Sequence, residues 1–228
     1  MIEMKGVHKT YANGVTALNG VNVHIDSGEF VYLVGPSGAG KSTFVKMIFR
    51  GEKPSTGIVK VDNKDLSTYK ERHIPRVRRK IGVVYQDFKL LPKLTVYENV
   101  AFALEVIEES PKIIRDRVME VLDLVGIKDK ARSLPDELSG GEQQRVAIAR
   151  AIANNPKVVI ADEPTGNLDP ETSWGIMKVL EDINQKGTTI IMATHSKEIV
   201  NTIKKRVIAI ENGRIVRDEA GGDYGYEV

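Results

Sequence analysis

Phe30-Val31-Tyr32-Leu33-Val34-Gly35-Pro36-Ser37-Gly38-Ala39-Gly40-Lys41-Ser42-Thr43 is the stretch that decides the fold. Its first five residues are an unbroken apolar run, the pattern of a strand buried on both faces of a parallel sheet. The run stops at Gly35, and from Lys41 to Phe49 the pattern turns helical. Between strand and helix, Gly35 to Ser42 fits G-x-x-x-x-G-K-[ST] in the context that gives this spacing its meaning. Glycines there let backbone N–H groups approach phosphates with no Cβ in the way. Lys41 supplies a point charge for the β- and γ-phosphates, Ser42 a hydroxyl for Mg²⁺, and Thr43 a hydroxyl within reach of the α-phosphate. The loop predicts binding of a nucleoside triphosphate.

Working outward, Val158-Val159-Ile160-Ala161 and Thr189-Ile190-Ile191-Met192-Ala193 read as two further buried strands. Each ends in polar residues, Asp162 and Glu163 after the first and Thr194 and His195 after the second. Ligands of open α/β sheets bind at strand C-termini. Two adjacent acids in one small site need different tasks, because like charges oppose joint ionisation. Asp162 is the natural partner of Mg²⁺, through water. Glu163 either polarises an attacking water as general base or caps the next segment. Gln86 follows the strand-like run Ile81 to Tyr85, and its amide either touches Mg²⁺ or the water or is an ordinary surface glutamine. His195 stands between a γ-phosphate contact and a structural role, and Tyr11 is one aromatic among 7 tyrosines. A stacking contact from Tyr11 to a base is worth about 1–3 kcal/mol.

The middle of the chain, from about Thr95 to Asn155, has a helical pattern. Thr95 with Glu98 predicts a capping box. Ile113, Val118, Val121, Leu122 and Val125 recur at helical spacing, with Gly126 as C-cap. The expected organisation is one domain over residues 1–228, with residues 1–94 and 156–228 as an α/β core and about 95–155 as an inserted helical subdomain. The run to Asp26 and the stretch Ile58 to Val61 read as a β-rich flank. Glu211-Asn212-Gly213-Arg214 reads as a hairpin turn, and the tail Gly221 to Tyr226 as mobile.

A second glycine turn, Leu138-Ser139-Gly140-Gly141-Glu142-Gln143, precedes a helical segment from Gln143 to Ala153. By itself it is a flexible turn with N–H groups aimed outward at a helix start, where anions bind. Two phosphate-reading loops so far apart suggest a nucleotide clamped between two copies of the chain. Composition narrows the field. A net charge of +2 is too small for a nucleic-acid footprint over the whole surface. With 0 cysteines, a disulfide scaffold and thiolate metal sites are excluded. No apolar run approaches the roughly 20 residues that span a bilayer. The basic cluster Arg72, His73, Arg76, Arg78, Arg79, Lys80 reads either as a solvated face or as a contact for lipid headgroups or an acidic partner.

These positions together resemble the ABC-type ATPases over almost the whole chain. Tyr11 matches the aromatic A-loop, Gly35 to Ser42 the Walker A loop and Gln86 the Q-loop. Leu138 to Gln143 matches the signature motif, Val158 to Glu163 the Walker B strand, Leu168-Asp169 the D-loop and His195 the switch histidine. The resemblance implies a P-loop NTPase (RecA-like) α/β core, with an N-terminal antiparallel β flank and the inserted helical subdomain. It implies ATP and Mg²⁺, and a head-to-tail homodimer with two ATP molecules at its interface. Ser139, Gly140, Gly141, Glu142 and Gln143 would act in trans on the nucleotide of the other copy, and Asp169 would couple the two sites. Metal contacts would come from Ser42, Gln86 and Asp162, catalysis from Glu163, His195 and Gln86, and nucleotide binding from Tyr11 and residues Gly35 to Thr43.

Gly166-Asn167-Leu168-Asp169 and the compact single-cassette length resemble the group that serves lipoprotein-release, MacB-type and cell-division systems. Finer features, Thr95 to Ala101, Met192 to His195 and the tail Tyr224-Gly225-Tyr226, resemble its cell-division branch most. That implies an FtsX-like integral membrane partner docking near Phe88 to Tyr97, and indirect control of an extracytoplasmic peptidoglycan hydrolase. The place implied is the cytoplasmic face of the cell membrane at the division site. The alternative within the family is the ATPase of a lipoprotein-release or MacB-type export system. A soluble member acting in DNA repair or translation would show a long coiled coil or tandem cassettes, and neither is present. A nucleotide-gated scaffold without turnover is the third reading. Ser196 departs from the pattern of many relatives, which carry Asp after the switch histidine, and can still cap the following helix.

Overall fold

The computed structural model describes residues 1–225. The chain forms two compact units, Met1–Arg78 with Thr189–Val228, and Arg79–Thr188. The first unit begins with β1 (Ile2–Thr10), β2 (Thr16–Ile25), β3 (Phe30–Val34), α1 (Lys41–Ile48), β4 (Thr56–Val61), β5 (Lys64–Asp65) and α2 (Ile74–Arg78). The second contains β6 (Ile81–Val84), α3 (Val96–Glu105), α4 (Pro111–Leu124), α5 (Gly140–Ile152), β7 (Val158–Asp162) and α6 (Pro170–Gln185). The chain then returns to the first with β8 (Thr189–Ala193), α7 (Lys197–Thr202), β9 (Arg206–Glu211) and β10 (Arg214–Glu219). This is the mixed α/β fold of a P-loop NTPase.

In the first unit, β2-β1-β4-β5 form an antiparallel sheet, the expected β flank. On β2, Leu18, Val21, Val23 and Ile25 are buried while Asn22 and His24 between them are exposed, the alternation of a sheet with one wet face. β3 lies between β8 and β9, parallel to both. Every residue of β3 and β8 is buried, as the apolar runs Phe30 to Val34 and Ile190 to Ala193 require. Asn212 (φ 47) and Gly213 (φ 75) turn β9 into antiparallel β10. Two successive left-handed residues are what a tight two-residue hairpin demands.

In the second unit β6 and β7 pair in parallel, from Ile81↔Val158 to Val84↔Ala161. Helices α3, α4 and α5 pack on one another, and α5 also meets β6 and α6. Gly82 explains how closely: a Cβ there would lie 2.3 Å from the Ala151 carbonyl oxygen. The capping box at Thr95 is present, with Glu98 Oε2 accepting from the Thr95 N–H at 2.7 Å and Thr95 Oγ1 accepting from the Glu98 N–H at 3.3 Å.

Three expectations need correction. The buried stripe of α4 is Ile114, Val118, Val121 and Leu122, while Ile113 is 51% exposed. The apolar pair Ile113-Ile114 offers two starting points for one period, and the packing against α3 and α5 selects the second. The helix read from Gln143 starts earlier, at Gly140, because Ser139 caps it. The tail is tied down as far as Tyr224, which is 8% exposed and whose N–H donates to Asn201 Oδ1 at 2.7 Å. The Lys197 ammonium sits 5.8 Å from the Tyr224 ring centroid, Arg217 Nη2 donates to the Asp223 carbonyl at 2.5 Å, and Lys204 pairs with Asp223. Tyr226 lies outside the described residues. Within the basic cluster, Arg78 is structural, donating to the carbonyls of Phe49 and Arg50 at 3.2 and 3.0 Å.

Candidate functional site

In the first unit, residues Gly35 to Gly40 leave β3 and open α1. Gly35 (φ 146), Gly38 (φ 77) and Gly40 (φ 110) all take positive φ. Two of them are also demanded by neighbouring backbone. A Cβ at Gly35 would lie 2.1 Å from the Ile210 carbonyl oxygen, and one at Gly40 2.4 Å from that of Ala17. Gly40 is the N-cap of α1 and has no side chain to offer, so the first N–H groups of the helix are left for an anion. Lys41 is buried, and its Nζ donates to the carbonyls of Gly35 and Pro36 at 2.7 and 3.1 Å. It also meets His195 Nε2 at 3.2 Å, so the loop lysine and the histidine after β8 are brought together. Tyr11 Oη lies 3.1 Å from Thr43 Oγ1, and the Lys9 ammonium stands 4.9 Å from the Tyr11 ring centroid. Ser196 caps α7, accepting from the Ile199 N–H at 3.3 Å.

In the second unit, Asp162 ends β7 and Glu163 follows it in left-handed backbone (φ 50). Such a conformation costs about 1–3 kcal/mol for a residue with a side chain and collects at functional sites. The Gly166 N–H closes the turn onto the Glu163 carbonyl at 3.1 Å. Gln86 is exposed but engaged. Its Nε2 donates to Asn167 Oδ1 at 3.3 Å, and Asn167 Nδ2 donates back to the Gln86 carbonyl at 3.2 Å. Asp169 caps α6, accepting from the Thr172 hydroxyl at 2.6 Å and from the Thr172 N–H at 2.9 Å. These bonds hold its carboxyl below the usual carboxylate range.

The turn Leu138 to Gln143 is ordered by its own side chains. Ser139 Oγ accepts from the Glu142 N–H at 3.3 Å, while Glu142 Oε2 accepts from the Ser139 N–H and hydroxyl, both at 2.8 Å. The two Ser139 donors, the N–H first, hold the Glu142 carboxyl below its ordinary value. Gln143 Nε2 donates to the Leu138 carbonyl at 3.1 Å. Gly141 faces Thr172, whose Cγ2 would stand 2.3 Å from a Cβ at that position. Gly140 faces Leu168 and Phe88. The signature-like turn, Phe88 and the Leu168-Asp169 segment therefore meet within this unit.

Two organising residues escape a reading by motif. Asn99 is fully buried in α3 and makes four hydrogen bonds. It accepts from the Leu91 N–H at 2.8 Å and donates to the carbonyls of Leu91, Leu94 and Thr95 at 3.1, 2.8 and 3.0 Å. It thereby ties the loop before α3 to the helix. Arg150, near the end of α5, donates to the carbonyls of Lys89 and Phe88 at 2.7 and 2.8 Å. The available signal was a polar side chain inside an apolar run: Asn99 before Val100-Ala101, and Arg150 within Ala147-Ile148-Ala149-Arg150-Ala151-Ile152.

The sequence model of the ABC transporter family matches residues 18–166. The cell division ATP-binding protein FtsE of Bacillus subtilis (strain 168) is 72% identical over 225 residues, covering 99% of each chain. The protein of the same name from Mycobacterium tuberculosis (strain ATCC 25618 / H37Rv) is 54% identical over 228 residues, 100% of this chain and 99% of its own. Among solved structures, the dimeric post-hydrolysis state of the ATP-binding cassette MJ0796 bound to ADP and Pi superposes with a TM-score of 0.87. It is 39% identical and covers 97% of this chain and 99% of its own. The cbiO1 protein of Clostridium perfringens, part of the ABC transporter complex cbiONQ, gives a TM-score of 0.90 at 34% identity, covering 96% and 88%. With a glycine loop opening α1, a left-handed Glu163 after β7 and a capped signature turn opening α5, this chain belongs to the ABC transporter family of ATP-binding cassettes.

Proposed function

We propose that this chain is the ATP-hydrolysing subunit of a cell-division assembly, closing as a homodimer around two ATP molecules to drive an FtsX-like integral membrane protein. The observation that carries the reading is the uncapped phosphate cradle at the start of α1, in a chain 72% identical over 225 residues to a cell division ATP-binding protein. The activity is ATP hydrolysis. The backbone N–H groups of Gly38 to Ser42 and the Lys41 ammonium take the phosphates, and the Tyr11 ring takes the adenine. Mg²⁺ arrives with ATP as part of the substrate. The hydroxyl of Ser42, the amide oxygen of Gln86 and the carboxylate of Asp162 are hard oxygen donors of the kind it selects.

Glu163 accepts the proton of the attacking water, and His195 donates to the γ-phosphate and keeps the water in line. Ser139, Gly140 and Gly141 of one copy, with Glu142 and Gln143 behind them, read the nucleotide bound by the other, and Asp169 links the two sites. The membrane partner docks on the segment Phe88 to Tyr97, which places the chain on the cytoplasmic face of the membrane at the division site. Dimer closure there is transmitted to an extracytoplasmic peptidoglycan hydrolase. Loss of a positioned general base lowers a rate by about 10²–10⁴-fold, so Glu163→Gln is expected to lower ATP turnover by that order while ATP still binds. The same variant with ATP, used as bait in native membranes, is expected to retain a small permease with cell-wall hydrolase machinery. Retention of a lipoprotein or drug exporter would leave the ATPase standing and overturn the division assignment.

A further inference from the structure

Gln86 is followed by two non-glycine residues in left-handed backbone, Phe88 (φ 59) and Lys89 (φ 51). The Lys89 N–H donates to the Asp87 carbonyl at 2.5 Å, closing a three-residue turn about Phe88. For residues with side chains this is a costly shape, and neither glycine nor asparagine is present to ease it. Its support comes from 61 and 62 residues away in sequence. Arg150 Nη1 donates to the Lys89 carbonyl at 2.7 Å and Nη2 to the Phe88 carbonyl at 2.8 Å. One planar fork on two successive carbonyls fixes two peptide planes at once, which a lysine ammonium does not do. Just before this turn, Gln86 is paired with Asn167 through two hydrogen bonds. Within the turn, the Phe88 ring faces Gly140: a Cβ at Gly140 would stand 3.8 Å from Phe88 Cζ and 3.4 Å from Leu168 Cδ2. Gly140 begins the helix that carries Arg150. The turn is thus held at one end of α5 and rests against the other.

We propose that Arg150 is a positioning residue for ATP hydrolysis, forking onto the turn after Gln86 so that Gln86, the signature turn and Asn167 to Asp169 move as one body. The inference rests on the ATPase reading above and needs no membrane partner. Arg150 touches no nucleotide in this scheme. Its loss leaves phosphate binding by Gly35 to Ser42 intact and frees the turn after Gln86, and Gln86 with it, from its set position against the signature turn, so turnover falls while affinity stays.

The test is steady-state ATP hydrolysis by the full chain and its variants Arg150→Met, Arg150→Lys and the double variant Arg150→Met with Lys89→Gly. A small misplacement of reacting groups costs up to about 10²-fold in rate, so Arg150→Met is expected to lower kcat by about 10- to 100-fold with KM near the unmodified value. Glycine adopts left-handed backbone at no steric cost, so Lys89→Gly is expected to restore much of the lost kcat in the Arg150→Met background. Arg150→Lys should fall between the two. A kcat for Arg150→Met equal to that of the unmodified chain overturns the proposal. So does a loss that Lys89→Gly leaves unrestored, which would make Arg150 a packing residue only. If Arg150→Met does not fold, Arg150→Lys decides: reduced kcat at unchanged KM supports the proposal, and full activity overturns it. Absence of turnover in the unmodified chain would sink the ATPase reading and this proposal together, and the unmodified rate separates that failure from one confined to Arg150.

Discussion

Ser139 carries two tasks. In the proposed mechanism it reads a nucleotide held by another copy, and in this structure its hydroxyl and N–H complete the capping box that starts α5. The cap holds the first turn, so Gly140 and Gly141 can present N–H groups in a fixed direction. Removing such a cap costs about 0.5–2 kcal/mol, and Ser139→Ala is expected to lower the urea midpoint accordingly with the slope unchanged. Glu142 supplies the pH dependence. Its carboxyl lies below the ordinary value of 4.5 in the folded chain because it accepts from Ser139. Its contribution is therefore complete above that unfolded value and disappears as pH falls through the lower folded one. Glu142→Gln should be less stable than the unmodified chain at neutral pH, and the two should converge in acid. A difference that persisted below the carboxylate range would contradict this account.

Among the elements, α3 shows how the loop before a helix is given shape without secondary structure of its own. Residues 91–95 are held by one side chain, Asn99, which satisfies one N–H and three carbonyls from a fully buried position. Leaving a buried polar group without its partner costs about 1–3 kcal/mol. Asn99→Ala is expected to destabilise the chain by at least that order and to speed hydrogen exchange at the Leu91 amide. Asn99→Asp should be worse, since it sets a carboxylate against three carbonyl oxygens. Equal stability of the two variants would argue that the loop is held by its apolar side chains instead. The helix α4 makes a different point about legibility. Its existence and its end at Gly126 (φ 75) follow from local sequence, yet which of Ile113 and Ile114 faces inward depends on where α3 and α5 lie.

For the whole molecule, the proposed reading makes assembly conditional on nucleotide. Glu163→Gln in the presence of ATP is expected to sediment as a dimer, and as a monomer with ADP. Adding Ser139→Arg, which sets a bulky cation where the signature turn must approach the other copy's nucleotide, should abolish the dimer. Dimer formation that ignores the nucleotide would count against a clamp in which ATP is the glue. Such a clamp also accounts for two glycine-rich turns at helix starts in one chain, one opening α1 in the first unit and the other opening α5 in the second.

Local order carries a great deal here. The strand before Gly35, the spacing from Gly35 to Ser42, the acids after Val158 to Ala161 and the histidine after Ala193 all depend on residues close together in the chain. Their periods and turns are legible because each obeys the geometry of a single strand, loop or helix start. Tertiary structure alone decided the rest. It made Gly35 and Gly40 obligatory through the carbonyls of Ile210 and Ala17, and packed Tyr224 onto α7. It also paired Gln86 with Asn167 across 81 residues and set Arg150 on the carbonyls of Phe88 and Lys89. The reason is physical: a hydrogen bond between distant residues exists only where packing has already fixed both backbones, and no local period records that meeting.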